Sequence, residues 1–399
     1  MSQATARSAI AAATSARAAA GTGRPFFGLI DSVVVDDFAG FEFPGAIARS
    51  HAAAAWTWVR RDLATDLVNA DAPEDPDSAQ ALDAVMPQLL ERARAAMAAA
   101  AGTREAERRL RTQLGGEDEW LRLPLVLSAL KGRALLGKAQ SFGRAVNGLA
   151  DEAAIGQALQ AMPLQDKVVG ALLMQATVGQ VSNPGRLVTA VIRIAGASTE
   201  AAVRRAGFEP LVEAILAHAQ NQVPVLQVLG PFADIDLTCR AINRFHRLIR
   251  ALQSYLELTR GGRWAMIAGA LTKQVSERVE ARLRDVPMDV NKALRRAREG
   301  TDRLDSDQLL SALNGVYILA TVRECRESLA LNALFDRGWT QVGEALEMHI
   351  QRNLEILRQN PKDRITSERL DASIKMAELR FNAEYAEVLK RAKEAAERR

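Results

Sequence analysis

Arg240, Arg244, Arg247 and Arg250 recur at spacings of four, three and three residues. A guanidinium keeps its charge at any physiological pH and offers a planar fork of N–H donors, so a row of them suits carboxylates and phosphates. Ile242, Phe245, Ile249, Leu252 and Leu256 recur through the same stretch at three, four, three and four. At about 100° per residue the two sets occupy opposite faces of one helix. The apolar face must bury against a core, which leaves the arginines in water. Arg260 and Arg263 continue the row, and Lys273, Arg278, Arg282, Arg284, Arg295, Arg296 and Arg298 follow. Tyr255 and Trp264 lie among them as aromatics able to stack on a base. Three kinds of partner suit such a surface: an acidic protein, nucleic-acid phosphates, or anionic lipid headgroups. The plain alternative is a solvated face whose arginines pair with acids elsewhere. Nothing in the chain resembles a helix-turn-helix, an RNA-recognition signature or a zinc finger, so sequence-specific nucleic-acid recognition has no support.

Other chemistry has less material. Gly132 to Ala139, GRALLGKA, fits the first seven positions of the phosphate-binding loop GxxxxGK, but Ala139 stands where Ser or Thr must hold Mg²⁺. Arg-Ala-Leu-Leu is also a helix former rather than a turn. The four histidines, His51, His218, His246 and His349, are far apart, and no HExxH or CxxC spacing occurs. Asp234 and Asp236 form a close acidic pair before the basic helix. One is expected to cap it, and both favour the helix dipole. No GxSxG elbow or nucleophile-like cysteine appears, although a triad assembled in space is invisible to sequence. No motif calls for a cofactor or a metal.

The bulk numbers agree with a folded, helix-rich chain. It has 399 residues, 48% hydrophobic, and only 5% aromatic, which is poor material for sheet. The formal net charge is +4, but residues 240–300 carry +8 and all other residues together carry −4. Local field rather than total charge would therefore steer an acidic partner. Cys239 and Cys325 are too few for a disulfide framework, which points to a reducing compartment. Residues 1–24 read as a flexible Ala-rich tail with no apolar leader core, and no run of about 18 apolar residues occurs. The expected location is cytoplasmic.

The elements that must position these residues follow from periodicity and breakers. Residues 25–102 read as an extended arm or short hairpin around Val33–Val35, then helices over 46–69 and from about 79 to 101. Residues 103–232 read as short helices, with starts at Asn183-Pro184 and at Ser198-Thr199-Glu200 and a stop at Gly196. Residues 233–399 read as a long-helix bundle over 234–259, 262–284 with a joint at Pro287, 304–336, a helix ending before Pro361, and 366–397. In the last, Leu370, Ile374, Phe381, Tyr385 and Val388 form a coiled-coil-like seam, for internal packing or for a partner helix or second copy. The expected fold is all-α: a multi-helix array, solenoid-like or an irregular bundle, with a short extended N-terminal arm. The expected function is a non-enzymatic scaffold or adaptor that binds a protein partner through its basic surface. A nucleic-acid or membrane-surface accessory protein is the first alternative, and an enzyme with a scattered site the second.

Overall fold

The computed structural model describes residues 23–36, 40–69, 72–226, 234–296 and 303–398. The tail expected over 1–24 and the Arg298 end of the basic region lie outside them, apart from Gly23 and Arg24. The protein is all-α; among the described residues Val34–Val35 pairs in parallel with Ile47–Ala48 as a two-stranded sheet, and Thr199 and Glu257 form an isolated parallel bridge. A hairpin would have run antiparallel. Here Ile47 N donates to Val33 C=O at 2.8 Å, and Val33, Val35, Ile47 and Ala48 are all buried.

The chain divides into two compact units. The first holds the described residues up to His218 together with Tyr255–Glu257. It contains α1 (Arg49–Trp58), α2 (Pro76–Gly102), α3 (Arg104–Leu114), α4 (Glu117–Lys131), α5 (Arg133–Val146), α6 (Glu152–Gln160), α7 (Lys167–Val178), α8 (Gly185–Ala195), α9 (Glu200–Arg205) and α10 (Glu209–Gln220, whose last two residues fall in the second unit). Side-chain caps set many of the starts: Asp75, Thr103, Asp151, Asp166 and Thr199 each accept from a backbone N–H in the first turn. Asn183 Oδ1 accepts from Gly185 N at 3.1 Å, and Gly196, at φ 75°, ends α8. The helix expected over 46–69 stops at Trp58 and passes into a π-turn, Val59–Leu63. α7 is apolar over most of its circumference, and every residue from Gly170 to Val178 is buried, the polar Gln175 and Thr177 included. Gly143 of α5 lies so close to the Thr177 carbonyl of α7 that no side chain would fit there.

The second unit is Ala219–Ser254 with Leu258 onward. After the short α11 (Gln222–Val225) its helices are α12 (Ile235–Tyr255, whose last residue falls in the first unit), α13 (Arg263–Leu294), α14 (Ser306–Cys325), α15 (Asn332–Gln359), α16 (Arg364–Arg380) and α17 (Ala383–Glu397). Its core holds Phe245, Ile249, Trp264, Val275, Val279, Leu319, Val342, Leu346 and Leu370. Each such aliphatic side chain stabilises by about 2 kcal/mol through removal from water.

Three junctions here differ from the sequence reading. Pro287 lies inside α13 rather than at a joint. Val286 and Val290 are fully buried on either side of it, and Arg282 Nη1 donates to Asp289 Oδ2 at 2.6 Å across it, so packing overrides the lost backbone donor. The helix expected over 304–336 is two helices. α14 ends at Cys325, a 3₁₀ turn covers Arg326–Ser328, and α15 starts at Asn332. Neither Gly nor Pro marks this break. It buries Leu329 and Leu331, and Ala330 N finds Ser276 Oγ at 3.1 Å. The helix expected over 366–397 is also two. Phe381 leaves helical geometry (φ −105°, ψ −85°), and Asn382 caps α17 by accepting from Tyr385 N at 2.7 Å.

Candidate basic interaction surface

α12 carries the arginine row as its sequence requires. Ile242, Phe245, Ile249 and Leu252 are fully buried, whereas Arg240, Arg247 and Arg250 are exposed and Arg244 is half-buried. Asp234 sets the start of the helix, accepting from Leu237 N at 2.9 Å, so one of the two acids is indeed a cap. Arg240 Nε donates to the Asp236 carbonyl at 3.2 Å, which lays that side chain along its own helix. Arg250 pairs with Glu327 at 3.0 Å, both groups well exposed. Arg240 and Arg247 have no ion-pair partner among the described residues. Burial, and then the adjacent Arg247 charge, pulls the Arg244 pKa below its ordinary value.

The flank of α12 that meets α14 is polar and ordered. The Cys325 thiol donates to Asn243 Oδ1 at 3.2 Å, and His246 Nδ1 and Ser328 Oγ share a hydrogen bond of 2.9 Å. Burial pushes the Cys325 thiol up to about 12, so it stays protonated and a weak nucleophile. Both cysteines are free.

The rest of the basic stretch divides. Arg260 and Arg263 are exposed, the latter opening α13. Arg282 is buried, bound to Asp289 and to the Ser311 carbonyl, each at 2.6 Å. Arg278 donates to the Val223 carbonyl, Arg284 pairs with Glu280 at 2.5 Å, Lys273 with Glu277 at 3.9 Å and Arg296 with Asp363 at 3.7 Å. Glu277, Glu280 and Asp289 are already counted in the +8, so of these pairs only Arg296–Asp363 draws on an acid outside the stretch. Trp264 is completely buried and offers no face to a base, whereas Tyr255 is 46% exposed.

The other sequence candidates resolve as follows. Gly132 joins α4 to α5, and Gly137 and Lys138 sit within α5, so GRALLGKA forms a helix and not a phosphate loop. Among the described residues no group of three or more His, Cys, Asp or Glu could hold a metal ion, and no helix is long and apolar enough to cross a membrane. The C-terminal seam is split by the Phe381 break. Leu370 and Ile374 are buried in α16, Phe381 and Tyr385 are half-buried and stack edge to face at 4.9 Å, and Val388 is 59% exposed while Leu389 turns inward instead. Periodicity carried across the break placed Val388 one residue out of phase.

Sequence reasoning missed a second arginine cluster, in which Arg323 and Arg380 lie over Trp339 and Arg326 lines the same cavity. Its members come from both sides of the two unexpected junctions, and no spacing in the sequence announces them. Compared with family models, with curated proteins and with solved structures, the chain matches none.

Proposed function

We propose that this chain is a non-enzymatic helical scaffold that holds an acidic protein partner against the exposed guanidinium row of α12. The observation that carries the reading is the contrast within one helix. Four apolar side chains are fully buried on one face, while Arg240 and Arg247 stand exposed on the other with no ion pair among the described residues. An exposed, unpaired guanidinium adds little to folding, but it raises the encounter rate with a negative surface and supplies bidentate bonds to carboxylates. Arg250, Arg260 and Arg263 extend the same positive character; Arg250 would exchange its exposed Glu327 partner at small cost.

The test uses the full chain and poly-L-glutamate as the acidic probe. Arg240→Glu with Arg247→Glu should weaken binding by about tenfold or more at low salt and flatten its salt dependence. An unchanged affinity and salt profile removes the proposal. Duplex DNA and phosphatidylserine vesicles serve as the other polyanions. Tighter binding to either, lost in the same double variant, would replace the acidic protein with that partner.

A further inference from the structure

The second arginine cluster lines a cavity of about 590 Å³ within the second unit, between the end of α14, the first turns of α15 and the α16–α17 junction. Two kinds of group wall it. Trp339 and Phe381, both half-buried, supply aromatic surface over the buried Phe335, and Arg323, Arg326 and Arg380 supply guanidiniums. The Phe335 and Trp339 rings stack, with centroids 5.5 Å apart and planes at 29°. The Arg380 guanidinium lies 4.2 Å from the Trp339 ring centroid and that of Arg323 lies 5.1 Å from it.

Arg380 is fixed rather than loose. Its Nε donates to the Trp339 carbonyl at 2.7 Å. Gly343 clears the space beneath it, since a Cβ there would meet Arg380 Nη2 at 2.8 Å. Burial, and then repulsion from Arg323, lowers the Arg380 pKa, with Glu347 opposing. Two cations thus share one indole, and none of the three arginines has an ion pair among the described residues. The lining also holds one carboxylate, Asp336, and the capping Asn382 at the start of α17. Three guanidiniums and one carboxylate leave a formal +2. A phosphomonoester carries about −1.5 to −2 at neutral pH, which matches that excess where a single carboxylate would not. Planar guanidiniums bind phosphate bidentately, and the aromatic wall suits a flat ring attached to it. The volume falls in the range of small-ligand sites.

We propose that this cavity binds a phosphomonoester carried on a flat ring, with Arg323, Arg326 and Arg380 on the phosphate and the half-buried Trp339 and Phe381 against the ring. The site shares no residue with the α12 row, so each stands or falls separately. Isothermal titration of the full chain with phenyl phosphate at low salt is the test. Arg323 and Arg326 are exposed, so Arg323→Gln with Arg326→Gln should leave the fold intact and weaken phenyl phosphate by about tenfold or more. Gly343→Ala, which displaces Arg380, should also weaken it. Inorganic phosphate, without a ring to stack, should bind about tenfold more weakly than phenyl phosphate. A capped phosphotyrosine, whose ring bears the phosphate directly, stands for a modified protein, and adenosine 5′-monophosphate, whose flat ring is joined to the phosphate through ribose, stands for a free metabolite. Whichever binds the wild type and is lost in the double variant identifies the source. The proposal is overturned if phenyl phosphate gives no heat, binds both variants undiminished, is matched by inorganic phosphate, or is lost on Arg240→Glu with Arg247→Glu instead.

Discussion

His246 and His349 are both held below the ordinary histidine pKa, with burial as the first cause in each. Arg250 and Arg247 add repulsion at His246, where Glu327 opposes them, and Arg352 and Arg369 add repulsion at His349. The imidazoles are therefore neutral in the folded protein, bonded to Ser328 and to Asn291 Oδ1 (3.2 Å). In the unfolded chain each takes up its proton near pH 6.5. Below that pH the unfolded state holds more protons than the folded one, so the stability these groups contribute is complete above it and declines as the pH falls towards the folded values. Urea unfolding should show a lower midpoint at about pH 5.5 than at about 7.5, a window in which ordinary carboxylates stay ionised. His246→Gln with His349→Gln should flatten that dependence, whatever it does to stability at neutral pH. A slope equal to the wild type's would show that other groups carry the effect.

The helix elements depend on caps and breaks, and the C-terminal break is open to a direct test. Asn382 joins α16 to α17 through one side-chain bond to Tyr385 N, while Lys393–Asp371 (2.5 Å) and Ser367–Glu397 (2.7 Å) tie the two helices together farther along. Asn382→Ala should cost about 1 kcal/mol, with hydrogen exchange accelerating first in Ala383–Glu397. Acceleration spread evenly over the second unit would mean that α17 does not fray by itself. Starts of this kind were legible in the sequence at Asn183 and, within one residue, at Ser198-Thr199, and so was the two-faced character of α12. The breaks after Cys325 and at Phe381 were not, because no Gly or Pro marks them: burial of Leu329 and Leu331 accompanies the first, and the Asn382 cap, inside an unbroken apolar period, makes the second. The consequence for the second cluster is large. In one continuous helix Arg323 and Trp339 would lie about 24 Å apart, whereas the turn at Arg326–Ser328 brings the guanidinium to 5.1 Å from the ring. A reading that missed the break could not find the cluster.

On the scale of the whole molecule, charge placement separates two explanations that total charge confuses. The chain is formally +4, and Arg240→Glu with Arg247→Glu would take it to 0. Loss of polyanion binding could then reflect the vanished net charge alone. Arg108 and Arg109 supply the control: both are exposed on α3, in the part of the chain that is otherwise acidic, and changing both to Glu also takes the total to 0. A field set by the whole molecule would make the two double variants equivalent. A field set within about a Debye length, roughly 10 Å at 0.1 M salt, would not. The α12 variant should therefore lose poly-L-glutamate binding and most of its salt sensitivity, while the α3 variant keeps both. Equal losses would show that the α12 row has no privileged role and that the protein attracts acidic partners only through its overall charge.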